Sequence, residues 1–188
     1  MSRQELRSTG GNCQGDGCHI DEYLDQNNEL DVDITCIMSL IKMDRFELCV
    51  QKLVELGVKH IVPYQAQRSV VKIKDNKKLE RIRKIIKEAA EQSHRNIIPD
   101  LHDVIDLDGL NQYLSKHNYI AYENHKGDYD IEADSSVTFI IGPEGGFTDQ
   151  EYKKIVDLGF ESISLGKRIL RAETAAIYLS SIIVGKCQ

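Results

Sequence analysis

The chain contains an apolar strand that runs through a glycine turn into a capped helix, and this feature restricts the fold class. Val137–Ile141 is almost entirely apolar or β-branched, which is typical of a strand buried on both faces. After the turn, Thr148 and Glu151 have the spacing of a capping box, with Phe147 and Tyr152 placed as a hydrophobic staple. A buried strand that leads directly into a helix predicts a βα unit in a mainly parallel sheet.

The same alternation of strands and helices continues on both sides of this unit. Apolar, β-branched runs predict four further strands, at Val32–Leu40, His60–Tyr64, Tyr119–Tyr122 and Ser162–Leu165. Apolar residues at helical spacing predict three further helices, at about 46–54, 79–93 and 172–184. The chain is therefore predicted to form one α/β domain, for which 188 residues suffice.

The N-terminal stretch differs from the rest of the chain. Residues 1–30 are rich in Gly, Asn, Gln and Asp and show almost no apolar periodicity, as in a tail. We expect the folded domain to span residues 31–188. The chain contains neither the apolar core of a secretory signal nor a run of about 20 apolar residues, so we expect a cytoplasmic protein that does not enter a membrane.

The formal net charge of −6 conceals a basic segment. Residues 66–96 contain ten Lys or Arg and four Asp or Glu, a local charge of +6 that leaves −12 for the remainder. A basic face can neutralise the phosphates of a nucleic acid. A solvated helix face with pairs such as Glu80–Lys84 and Lys84–Glu88 would explain the same composition. The charge alone does not distinguish the two interpretations.

Cysteine usage favours reduced thiols, because an odd number of cysteines is scattered along the chain at Cys13, Cys18, Cys36, Cys49 and Cys187. Cys13, Cys18 and His19 could contribute to a metal site. A tetrahedral site needs a fourth ligand, however, and no CxxC pair is present, so we predict no metal. Cys49 falls on the apolar face of a predicted helix and is expected to be inert.

Two strand-to-helix junctions carry the predicted chemistry, because ligands of parallel sheets collect at the carboxyl ends of strands. The first is GPEGGF, at Gly142–Phe147, whose glycines let the main chain turn and approach a ligand. The second is LGKRILRAETAA, at Leu165–Ala176, where an Ile-Leu pair between charged residues indicates a partly apolar pocket. Neither junction matches the GxGxxG dinucleotide pattern or a P-loop.

Together, IGPEGGFTDQE and LGKRILRAETAA closely resemble the ribosomal RNA small-subunit methyltransferase E family, which belongs to the knotted SPOUT methyltransferases. The resemblance continues through SLIKMDRFELCVQKLVELGVKHIVPYQAQRS and EAAEQSHRNIIP and covers residues from about 30 to 188. It implies a SPOUT-type, mainly parallel sheet with a deep trefoil knot in the C-terminal third, and a homodimer. It also implies methyl transfer from S-adenosyl-L-methionine to N3 of a uridine in 16S ribosomal RNA of the small subunit, uridine 1498 in the family.

By motif position, the resemblance places the cofactor among three loops. Main-chain groups of the glycine loops can hydrogen-bond adenine and ribose, while neighbouring aliphatic side chains cover the ring. The residues expected to bind the cofactor are Tyr122, Glu123, Ile141, Gly142, Pro143, Glu144, Gly145, Gly146, Leu165, Gly166, Ile169, Leu170, Thr174 and Ala175.

Methylation of N3 requires loss of a proton, because the neutral imide nitrogen of uracil is a poor nucleophile. A cation beside the uracil carbonyls would stabilise the developing anion, and Arg171 is predicted to supply it. Glu173 is predicted to orient groups or accept a proton; the alternative is a first-turn acid that interacts with the helix dipole. The matching stretches and the basic segment also predict RNA contacts at Lys42, Arg45, Arg68, Gln92 and Arg95.

Family members usually begin with a β-rich, PUA-like RNA-binding domain of several dozen residues. Residues 1–30 therefore resemble at most a remnant of it, and this domain is expected to be truncated or absent. Two alternative functions stay open. One is a SPOUT methyltransferase with a different RNA target, and the other is an RNA- or ribosome-binding protein with weakened catalysis.

Overall fold

The computed structural model describes residues 27–73, 76–122 and 130–187, which form a three-layer α/β structure around a six-stranded sheet. The strands are β1 (Asp33–Ser39), β2 (His60–Tyr64), β3 (Asp100–Leu101), β4 (His117–Ala121), β5 (Ser136–Ile141) and β6 (Glu161–Ile163). The helices are α1 (Met43–Glu55), α2 (Asn76–Gln92), α3 (Asp149–Asp157) and α4 (Ala172–Lys186), with a 3-10 helix at Leu107–Tyr113. The strand order is β3-β2-β1-β5-β4-β6 and every adjacent pair is parallel. The predicted α/β class and parallel sheet are confirmed.

Two elements were not predicted from the sequence. The first, β3, has only two residues and lies at the edge of the sheet beside β2, so it has no apolar run to reveal it. The second is the 3-10 helix, which begins after Asp106, whose side chain accepts a hydrogen bond from the Asp108 amide at 3.2 Å. The predicted strand Tyr119–Tyr122 corresponds to β4, which begins two residues earlier.

The central strand β1 is buried on both faces, as its apolar composition predicts. Ile34, Cys36 and Met38 belong to the core between the sheet and helices α1, α2 and α4. Ile37 points to the opposite face, where a second core includes the 3-10 helix and Ile155 of α3. Both faces of the sheet are therefore covered, which is the arrangement that an all-parallel sheet requires.

The capping box at the start of α3 is present as predicted. The Glu151 amide donates to Thr148 Oγ1 at 3.2 Å, and the Thr148 amide donates to Glu151 Oε2 at 2.9 Å. The second carboxylate oxygen of Glu151 reaches another part of the chain, where it accepts from the Gln67 amide at 2.8 Å and from the Tyr64 hydroxyl at 3.2 Å. This cap therefore also joins α3 to the segment that follows β2.

Residues 28–30 pack on the folded domain. Glu29 forms a buried ion pair with Arg95, whose Nη2 lies 2.5 Å from Glu29 Oε2, and it also accepts from the Asn96 amide at 2.9 Å. The side chains of Glu29 and Arg95 are only 10% and 3% exposed. Arg95 Nη1 donates to the Val58 carbonyl at 2.6 Å. This contact fastens the start of the domain to the chain beyond α2.

Among the described residues, no helix is long and apolar enough to cross a membrane, and no group of three or more metal-ligating side chains could hold a metal ion. Cys13, Cys18 and His19 lie outside these residues. Cys36 and Cys49 are free and buried. Burial, with a smaller contribution from the charge of Glu173, raises the pKa of Cys49 to about 12. Its thiol is therefore protonated and inert at neutral pH, as predicted.

Candidate active site

Three adjacent strands end at the same level of the sheet and open onto a cavity. Ala121 at the end of β4 pairs with Ile141 at the end of β5 and with Ile163 at the end of β6. The Tyr122 amide extends the second pairing with a 3.0 Å hydrogen bond to the Ile163 carbonyl. Because the chain leaves all three strands at this edge, the loops that follow them are brought together here.

The cavity has two parts, of about 100 and 240 Å³, that share Ala121, Ile169, Leu170 and Ala175. The smaller part lies against the loop after β6 and is also lined by Tyr122, Ser164, Leu165, Gly166, Lys167 and Arg168. The larger part lies against the glycine loop after β5 and is also lined by Ile141, Gly142, Pro143, Glu144, Gly146, Phe147, Arg171 and Ala172. The two motif loops thus border one continuous site.

The glycine loop after β5 is held by packing and by a cation. A Cβ added at Gly142 would lie 3.0 Å from the ring of Phe147, so a larger residue would displace the ring or the loop. Arg68 Nη1 donates to the carbonyls of Gly145 at 3.0 Å and Phe147 at 3.3 Å. These contacts fix the main chain that lines the larger part of the cavity.

The loop after β6 is shaped by Gly166, whose φ of +104° lies in a region that residues with a side chain rarely adopt. Beyond it, the Ile169 side chain is 88% exposed at the cavity. Tyr122 lines the same part of the cavity, and its ring stacks on that of Tyr152 in α3, with ring centroids 4.0 Å apart. The cavity therefore combines main-chain groups with apolar and aromatic surface, as expected for a small-molecule site.

Arg171 and Glu173 lie at the start of α4 but point to different surroundings. Arg171 is the N-cap residue, is exposed and lines the cavity. Glu173 is only 8% exposed, is not part of the cavity lining, and has Oε1 3.8 Å from Nε of Arg45 in α1. Arg171 therefore lies where its predicted role requires it, and for Glu173 the geometry favours the alternative of a first-turn acid that interacts with the helix dipole.

Most of the predicted cofactor residues line the cavity, namely Tyr122, Ile141, Gly142, Pro143, Glu144, Gly146, Leu165, Gly166, Ile169, Leu170 and Ala175. Gly145 and Thr174 are not in the lining, because Gly145 faces Arg68 and Thr174 is exposed on α4. Glu123 lies outside the described residues. Six further lining residues were not predicted individually, namely Ala121, Phe147, Ser164, Lys167, Arg168 and Ala172. Each is a direct neighbour of a predicted residue, so including whole loops would have found them.

Residues 28–184 match the RNA methyltransferase domain family. The chain is 38% identical to the ribosomal RNA small subunit methyltransferase E of Bacillus subtilis, over 88% of this chain and 71% of that protein. The chain belongs to the ribosomal RNA small subunit methyltransferase E family. The protein of that name from Mesomycoplasma hyopneumoniae is 39% identical, over 84% of this chain and 72% of its own length.

Solved structures agree with this family assignment. A methyltransferase from Legionella pneumophila, solved with bound SAM, has a TM-score of 0.81 at 37% identity and aligns over 86% of this chain and 69% of its own. The ribosomal RNA small subunit methyltransferase E of Neisseria gonorrhoeae, bound to S-adenosyl methionine, has a TM-score of 0.77 at 36% identity, over 83% of this chain and 67% of its own. The fold is thus SPOUT-like.

The residues predicted to contact RNA in this methyltransferase family member fall into two groups. Lys42 and Gln92 are exposed at the ends of α1 and α2. Arg45, Arg68 and Arg95 instead have partners within the protein, namely two carboxylates, two loop carbonyls and Glu29 respectively, although Arg68 is also exposed and Arg45 is partly so. For Arg95 the predicted RNA contact is wrong in this structure, because its 3% exposed side chain is committed to the ion pair.

Proposed function

We propose that this chain transfers a methyl group from S-adenosylmethionine to N3 of a uridine in 16S ribosomal RNA of the small subunit. One observation carries this proposal: in a chain of this family, the two motif loops border a single cavity with Arg171 at its margin. The two similar structures that contain this cofactor support the choice of methyl donor.

The cavity residues suit S-adenosylmethionine. At Gly142 an added Cβ would meet Phe147, and at Gly146 φ is positive, so both positions favour glycine. The main chain of these glycines can approach a ligand closely, and its polar groups can hydrogen-bond adenine and ribose. Ile141 and Leu170 offer apolar surface for the base. When bound, the cofactor supplies an electrophilic methyl group on its sulfonium.

Arg171 has the position of an electrostatic catalyst. The N3–H bond of uridine must break for N3 to act as a nucleophile, which leaves negative charge on the uracil carbonyl oxygens. An exposed guanidinium at the cavity margin can stabilise that charge. Glu173 is already paired with Arg45, so we propose that it holds the start of α4 in place. The proton of uridine N3 is then released to solvent.

The RNA is proposed to bind along α2, the helix of the basic segment. Its exposed cations are Lys77, Lys78, Arg81, Arg83, Lys84 and Lys87. Arg81 pairs with Glu47 of α1 at 2.7 Å, whereas other cations form the pairs expected of a solvated face, such as Lys84–Glu88 at 3.8 Å and Lys87–Glu91 at 3.7 Å. Such exposed pairs are weak, so phosphates can compete for these cations.

We further propose the deep trefoil knot and the homodimer of SPOUT proteins for this chain. Strand β6 lies at the outer edge of the sheet, whereas α4 packs on α1 and β1 near its centre. The chain must therefore cross back past β4 and β5, which supports a knot.

Tyr178, 45% exposed on α4, leaves aromatic surface available for a second subunit, which supports the homodimer. A cytoplasmic location also stays a proposal.

Labelling of ribosomal subunits tests the function. Small subunits from a strain that lacks this gene would be incubated with the protein and S-adenosylmethionine carrying a labelled methyl group, and the RNA would then be mapped by mass. We expect one 3-methyluridine in 16S ribosomal RNA, absent from reactions without protein. Labelling of transfer RNA alone would replace this target with another, and binding of subunits without any transfer would favour a non-catalytic role.

A further inference from the structure

Arg45 lies between the two loop regions that border the cavity. It belongs to the first turn of α1, and its Nη1 is 3.8 Å from Oε1 of Glu144 in the glycine loop after β5. Its Nε is 3.8 Å from Oε1 of Glu173, at the start of α4 directly after the second loop. One guanidinium therefore faces a carboxylate from each loop region.

These two contacts act through charge. At 3.8 Å both exceed the usual length of an N–H···O hydrogen bond. The Arg45 and Glu144 side chains are about one-third exposed, so solvent weakens their attraction. The side chain of Glu173, by contrast, is only 11% exposed, so its attraction to Arg45 is screened less.

Glu173 depends on Arg45 more than Glu144 does. Its second carboxylate oxygen, Oε2, is buried and has no hydrogen-bond partner among the residues that the structure describes. Cys49, one turn after Arg45 in α1, feels the charge of Glu173 but provides no cation. Within the described residues the ion pair of Glu173 is with Arg45, so removal of Arg45 would leave this buried carboxylate without a counter-charge from that part of the chain, which favours movement of the first turn of α4 towards solvent.

We propose that Arg45 is a positioning residue that keeps the glycine loop and the start of α4 at a fixed separation across the cavity. It acts through Glu144 and Glu173 and need not touch the cofactor or RNA. The inference rests on the proposed function only in that the cavity so held is taken to bind S-adenosylmethionine. It replaces the RNA contact predicted for Arg45.

We call the pair of contacts from Arg45 to Glu144 and Glu173 the tether. Hydrogen exchange of the ligand-free protein tests this tether without reference to any activity. Arg45→Met keeps a long apolar stem but removes the charge, whereas Arg45→Lys restores a charge. We expect faster amide exchange in residues 142–147 and 171–176 of Arg45→Met and partial recovery in Arg45→Lys. Lys59→Met is the matched control, because it removes the Lys59–Asp33 ion pair at the opposite, amino-terminal edge of the sheet.

Calorimetry with S-adenosylmethionine then connects the tether to the cavity. We expect Arg45→Met to weaken cofactor binding about three- to tenfold, the range for loss of two weak ion pairs, and Lys59→Met to leave it unchanged. In a protein that already carries Glu144→Gln, Arg45→Met should weaken cofactor binding less than it does in the parent protein. The reason is that the effects of substitutions at contacting residues are not additive.

The outcomes separate the competing accounts. Unchanged exchange in both segments of Arg45→Met, with weaker binding of small-subunit RNA alone, would overturn the tether and make Arg45 an RNA contact. Failure of the parent protein to bind S-adenosylmethionine would overturn the proposed function and leave the exchange result to judge the tether. If Arg45→Met does not fold, Glu144→Gln and Arg45→Lys are judged by the same exchange measurement, and unchanged exchange in Glu144→Gln overturns the proposal.

Discussion

Glu151 makes both local and long-range hydrogen bonds, and only the local ones can be predicted from the sequence. Its capping bond to Thr148 joins residues three apart, so local spacing predicts it. Its bonds to Tyr64 and Gln67 join residues more than eighty positions apart, and no local pattern encodes them. Burial, followed by the charge of Glu151, raises the pKa of Tyr64 well above its usual value, so this hydroxyl remains a donor.

Glu151→Gln should therefore destabilise the protein strongly. An amide group would present N–H donors to some of the groups that now donate to the carboxylate, leaving buried donors unsatisfied. We expect the free energy of unfolding, measured by urea denaturation, to fall by about 2–3 kcal/mol. Glu80→Gln, at an exposed position of α2, is the control and should change stability little. Equal effects of the two substitutions would contradict the proposed importance of the buried bonds.

Arg171→Ala should separate catalysis from cofactor binding. If Arg171 stabilises charge that develops on the uracil, methyl transfer should fall about 100-fold or more, while calorimetry shows nearly unchanged affinity for S-adenosylmethionine. Arg171→Lys should retain part of the activity, since it keeps the charge. A parallel loss of transfer and cofactor binding in Arg171→Ala would instead assign the residue to the cofactor.

At the level of elements, local patterns predicted those strands and helices that bury continuous apolar surface. They failed where an element is short or polar, as in β3 with its two residues. They also indicated the strand-end location of the site, because parallel strands place their following loops at one edge. Family resemblance supplied the cofactor. Which of the predicted cations meets RNA could not be foreseen, because Arg45, Arg68 and Arg95 find internal partners through the tertiary fold.

The loop after β6 offers a clean test of backbone geometry. A Cβ at Gly166 would meet nothing within 4 Å, so Gly166→Ala changes the protein only through the cost of its positive φ. We expect a loss of about 1–2 kcal/mol in the free energy of unfolding and weaker binding of S-adenosylmethionine. Gly185→Ala in α4 also has open space and should be neutral or stabilising by up to about 1 kcal/mol. Similar results for both would argue against a strained turn.

Over the whole molecule, stability and charge are unevenly distributed. The Glu29–Arg95 pair secures the beginning of the domain, whereas the basic segment concentrates positive charge on an otherwise acidic protein. Sequence composition revealed the second feature but not the first, because the two ion-pair partners are far apart in the chain. Each feature has its own dependence on solution conditions.

Acid should loosen the Glu29 contact. Burial alone would raise the pKa of Glu29, but hydrogen bonds and charge from Arg95, with the Asn96 and Ile97 amides, outweigh it and lower the pKa below its ordinary 4.5. The stabilisation is therefore complete above about pH 4.5 and is lost as pH falls through the lower, folded-state value. Glu29→Gln should cost about 3 kcal/mol at pH 7 and less at pH 3. If the parent protein and Glu29→Gln differed in free energy of unfolding by the same amount at pH 7 and at pH 3, this linkage would be contradicted.

Salt should reveal the RNA-binding face. Lys78→Gln with Arg83→Gln removes two exposed cations of α2 and should weaken binding of small-subunit RNA. The slope of the logarithm of the RNA-binding constant against the logarithm of the salt concentration should become shallower by about 0.7–0.9 per charge removed. The binding of S-adenosylmethionine should stay the same. The matched variant Lys153→Gln with Lys154→Gln removes two exposed cations from α3, on the other side of the sheet. Equal loss in both variants would indicate a diffuse attraction.

The pairing of β1 with β5 also has a consequence for biosynthesis. Asp33 of β1 lies beside Ser136 of β5, so the middle of the sheet joins residues made about a hundred positions apart. Until β5 emerges from the ribosome, β1 presents an open, apolar edge to other chains, and such non-local pairing is slow. A nascent chain halted before residue 136 should therefore aggregate or recruit chaperones, whereas one released after α4 can close its sheet.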